Sequence, residues 1–61
     1  MGQFDDVVAT LPISHAVALR LRRSGAADEV IATALDVDVE QLAAIIEVAE
    51  AKFARALRDR G

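Results

Sequence analysis

The sequence predicts an all-α fold: a small three- to four-helix helix-turn-helix domain with a long C-terminal helix. Three observations carry this expectation. Residues 27–42, ADEVIATALDVDVEQL, read as a short helix, a three-residue turn and the start of a second helix. From Val39 to Asp59 there is no Gly and no Pro, and Ala, Leu, Glu, Lys and Arg dominate. No extended alternation marks a strand, and no hairpin dipeptide is present.

Sixty-one residues are expected to make one domain, spanning 1–61. More than half the residues are apolar, yet only Phe4 and Phe53 are aromatic. Ala, Val, Leu and Ile supply the rest, the composition of a compact helical domain rather than a disordered tail. A domain of this length is marginal alone, and disulfides, a metal or self-association usually supplement it. There is no Cys, which excludes disulfides and thiolate metal sites. The one histidine, His15, has no carboxylate three or four residues away, so no built-in metal site and no cofactor are expected. Self-association is the supplement that remains. Residues 1–3 are expected to be frayed. Asp5 and Asp6 sit where a secretion signal would be basic, and no apolar run approaches the ~18 residues that span a bilayer. A cytoplasmic protein without membrane contact is the expectation.

Taken in order, Phe4, Val7, Val8 and Leu11 fall on one helical face, and 4–11 is read as a short docking helix. A second helix is expected over 14–24. Pro12 suits a first turn, Thr10 or Ser14 is the candidate cap, and Gly25 is the stop. Its inner face is expected at Ile13, Ala16, Val17 and Leu21, with Leu19 in part. Arg20, Arg22 and Arg23 match the negative end of that helix's dipole. His15, in its first turn, is read as a surface or capping residue. The third helix is expected over 27–35, with Asp28 and Glu29 in the first turn. Val30 or Ile31, Ala34 and Leu35 make its inner face. Asp36 tolerates a left-handed turn, Val37 plugs beneath it, and Asp38 with Gln41 has capping-box spacing. The last helix is expected over 39–59. Leu42, Ile45 with Ile46, Ala49, Phe53 and Ala56 with Leu57 make its apolar stripe.

Val17-Ala18-Leu19-Arg20-Leu21-Arg22, Gly25, the run from Asp28 to Leu35, Val37 and Asp38 resemble the C-terminal DNA-binding region of bacterial sigma factors and related regulators. Glu29, Ile31, Ala32, Leu35, Val37, Leu42, Ile46, Ala49, Lys52, Phe53 and Leu57 fall in register without a gap. The resemblance covers about residues 16–58. It implies a fold in which the last helix reads the major groove, and a role in transcription regulation.

The departures fall on the reading positions. These would be Val39, Glu40, Gln41, Ala43, Ala44, Ile45, Glu47 and Val48, and only Gln41 normally reads a base. The family's turn Gly is Asp36 here, and its Ser or Thr cap is Ala27. Between Asp28 and Glu50 stand seven carboxylates and no Lys or Arg, and the net charge is −3. Carboxylates against a duplex oppose binding. The first expectation is therefore a non-enzymatic protein-interaction module. Its interface is expected at Ala43, Ala44, Ile45, Val48 and Lys52, meeting a second copy (a homodimer above other oligomers) or a protein partner. The alternative is a DNA-binding regulator whose phosphate contacts come from Arg20, Arg22, Arg23, Arg55 and Arg58. No catalytic residues are expected, since neither a nucleophile–base pair nor a phosphate-cradling Gly loop is present.

Overall fold

In a computed structural model, which describes residues 2–60, the chain is all-helical. It has four helices: α1 (Gln3–Val8), α2 (Ile13–Arg23), α3 (Asp28–Leu35) and α4 (Val39–Arg60). The 22 residues of α4 rise about 33 Å at 1.5 Å each, so α4 alone runs the 34 Å long axis of the molecule.

Gly2 and Gln3 depart from the frayed start expected for residues 1–3. Gly2, in extended geometry, precedes α1, and its carbonyl accepts the Asp6 amide at 3.3 Å, so α1 already begins at Gln3. Met1 and Gly61 lie outside the described residues. α1 ends at Val8. The amides of Thr10 and Leu11 turn back onto the carbonyls of Val7 and Val8, and the Thr10 hydroxyl also donates to Val7 at 2.7 Å. Thr10 therefore closes α1 instead of capping α2. Pro12 takes the capping position with extended geometry and no side-chain bond, and Ser14 lies inside the first turn.

α2 and α3 end with the same device. Gly25 is left-handed at φ 93°. The Ala26 amide reaches back to the Leu21 carbonyl, and the Gly25 amide to Arg22. This paired pattern satisfies carbonyls that the helix end leaves free. After α3, Asp36 is left-handed at φ 58° and ψ 44°. The Val37 amide bonds Ala32, and the Asp36 amide bonds Thr33. The start of α4 is fixed reciprocally. The Gln41 amide donates to Asp38 Oδ1 at 2.7 Å, and the Asp38 amide donates to Gln41 Oε1 at 3.1 Å. That is the capping box read from the sequence.

Two apolar clusters share α2 and α4. The first joins Ala18, Ile31, Ala32, Leu42 and Ile46, with Leu21, Leu35, Val37 and Ile45 packed against it. It ties α3 to the α2–α4 pair. The second joins Val8, Ala16, Leu19 and Ala49, with Phe4, Leu11 and Phe53 against it, and ties α1 to the same pair. Burying Ile31 and Leu42 completely stabilises the fold by about 1.5–3 kcal/mol each. Four of the buried positions are Ala, which lets the helices approach closely.

Two inner faces differ from the sequence expectation. On α2, Ala16 and Leu19 are buried as expected, but Ile13 is 82% exposed and Ala18, outside the expected face, is fully buried. The cause is that α2 is covered on two sides, by α3 and by α1. Its buried arc is therefore wide and turned away from Ile13. On α3, Ile31 and Ala32 are buried, whereas Val30 and Ala34 are exposed.

Candidate functional site

α4 carries its core stripe on one side, and that fixes what it presents outward. At about 100° per residue, Ala44 and Ala51 lie roughly opposite Leu42, and Glu40, Glu47, Val48, Arg55 and Arg58 surround them. All seven are exposed, Val48 by 45%. The expected interface residues do not share one face. Ala44, Val48 and Lys52 lie on the outward side. Ile45 is half-buried against the first core cluster. Ala43 opens into a cleft of about 300 Å³ with Arg22, Asp28 and Glu47. Ala51, which sits between the two halves of the outward strip, was not among the interface residues expected from sequence. The signal that finds it is its phase against the buried stripe, not its hydrophobicity.

The basic side chains fall into two groups. Arg22 bridges two acids, with Nη1 3.8 Å from Asp28 and Nε 3.7 Å from Glu50. Arg23 lies over the Phe4 ring, its guanidinium carbon 4.3 Å from the centroid. Arg60 pairs with Asp6 at 3.8 Å. These contacts are exposed and each contributes less than about 1 kcal/mol, but they hold those arginines against the protein's own acids and aromatic rings. Arg20, Lys52, Arg55 and Arg58 are exposed and form no ion pair among the described residues.

A second, more apolar cleft of about 380 Å³ lies where α1 crosses α2 and α4. Phe4, Leu19, Phe53 and Leu57 make its walls, and Arg22, Arg23 and Glu50 stand on its rim. The Phe4 and Phe53 rings meet there at 5.4 Å, tilted by 39°. His15 is half-buried rather than a surface cap, and its Nδ1 is enclosed without a hydrogen-bond partner. Among the described residues no three His, Asp or Glu side chains converge as a metal site, and no helix is long and apolar enough to cross a membrane.

No family model matches the chain, and no curated protein or solved structure matches it either.

Proposed function

We propose that the chain is a non-enzymatic protein-interaction module that docks through the outward face of α4. The observation that carries this reading is the exposed Ala44, Val48 and Ala51 strip on the side of α4 opposite the core. Such a strip lets another helix approach closely, and the charged residues around it confer specificity. The residues that would face a DNA groove include Glu40 and Glu47, and both repel phosphates. Two of the five arginines that would hold phosphates, Arg22 and Arg23, are already engaged within the fold. The polar groups in the two clefts include these same arginines and the acids they meet, and the clefts offer no nucleophile beside a base. The sigma-like pattern of core residues suggests a setting in transcription regulation, with groove reading exchanged for protein contact.

DNA binding remains the rival reading because Arg20, Arg55 and Arg58 are exposed and without ion pairs among the described residues. Amide chemical-shift mapping separates the two. On raising the protein concentration, shifts are expected at Ala44, Val48 and Ala51, with none on adding a short duplex at low salt. Salt-sensitive shifts with the duplex at Arg20 and Arg55, and none with protein concentration, contradict the proposal.

A further inference from the structure

Building on the docking role proposed for α4, we infer that its outward face pairs with the same face of a second copy, with the two long helices antiparallel. The charge order along α4 selects both the occupant and the direction. Residues 39–50 hold Glu40, Glu47 and Glu50 and no base; residues 51–60 hold Lys52, Arg55, Arg58 and Arg60 against Asp59. The two halves carry −3 and +3. Glu50 and Arg60 are held by Arg22 and Asp6 of the same chain, and setting them aside leaves −2 and +2. A surface whose two halves carry equal and opposite charge is complementary to itself under a two-fold axis across the middle of the helix. A parallel pair would set Glu40 and Glu47 against their own copies, and Arg55 and Arg58 against theirs. The antiparallel pair sets the acidic half of each helix against the basic half of the other and also opposes the two helix dipoles.

The spacing agrees with this direction. With the axis near residue 49, Glu40 meets the partner's Arg58, and Val48 meets the partner's Ala51. Glu40 and Arg58 lie at nearly the same angle round α4, as residues that pair across an antiparallel two-fold must. The small side chains fall at the crossing, where the helices come closest. Glu40 and Arg58 lie about 13 Å to either side of it, at the ends of the seam.

Engineered cysteines test this directly, because the chain has none of its own. Glu40→Cys and Arg58→Cys variants are oxidised singly and as a mixture, with circular dichroism to verify the fold and sedimentation equilibrium of the unaltered protein alongside. The expected result is a dimer mass, with the mixed 40–58 disulfide exceeding either homodisulfide by about tenfold. A dimer in which Glu40→Cys cross-links to itself overturns the antiparallel arrangement and leaves docking through α4 standing. A dimer without any cross-link moves the contact off this face and overturns both. A monomer at every concentration overturns the second copy as occupant, while a different protein still fits the docking role.

Discussion

Asp36 is the residue on which the aim of α4 turns. It holds a left-handed conformation that costs most L-residues about 1–2 kcal/mol. Glycine removes that cost but loses more chain entropy on folding, so Asp36→Gly is expected to stabilise by about 0.5 kcal/mol net. Gly25 is the opposite case. It is left-handed, and nothing lies within 4 Å of where a Cβ would stand, so Gly25→Ala meets backbone strain alone. A loss of about 1 kcal/mol is expected, or roughly 4–8 °C in Tm by thermal unfolding. His15 leaves an enclosed nitrogen unpaired, and His15→Leu replaces it with apolar atoms in a half-buried site. Removing an unsatisfied polar group typically recovers about 1 kcal/mol, so the variant is expected to melt higher than the wild type. A lower Tm would show that His15 contributes through contacts other than Nδ1.

Among the elements, α1 owes its place to packing rather than propensity. Its six residues are too few to be a stable helix alone. Val7 and Val8 are fully buried, and Phe4 stands between Arg23 and Phe53. Phe4→Ala is expected to cost about 2 kcal/mol and to act locally. Hydrogen exchange should show Val7 and Val8 losing protection while Leu42 and Ile46 keep theirs; equal losses at all four would mean that α1 and the rest unfold as one unit. The start of α4 was legible from Asp38 and Gln41, because a capping box is written in four consecutive residues. The stripe of Leu42, Ile46, Ala49 and Phe53 was legible because a long helix repeats its signal several times. The inner face of α2 was legible in part: Ala16 and Leu19 are buried and Leu21 packs on the core, but Ile13 is exposed and the small Ala18 is fully buried between neighbouring helices. At those last two positions residue size pointed one way and tertiary context selected the other. The candidate docking face was partly legible: Ala44 and Val48 stand out as apolar residues among acids, whereas Ala51 gains meaning only once the opposite side of α4 is fixed.

For the whole molecule, charge is arranged along one axis. α4 runs the full length and changes from acidic to basic near its middle, with Ala51 of the outward strip at the change. The folding role of α4 uses the opposite side, where both clusters converge on Leu42, Ile46 and Ala49. Fold and docking are therefore separable by substitution. Val48→Glu places a charge in the outward strip without touching either cluster. Sedimentation equilibrium of the wild type and of Val48→Glu, each verified as helical, reads whether the outward strip of α4 is the docking face. A wild-type dimer whose dissociation constant rises at least about tenfold in Val48→Glu is the predicted result. A wild type and a variant that associate equally well would contradict docking through this face.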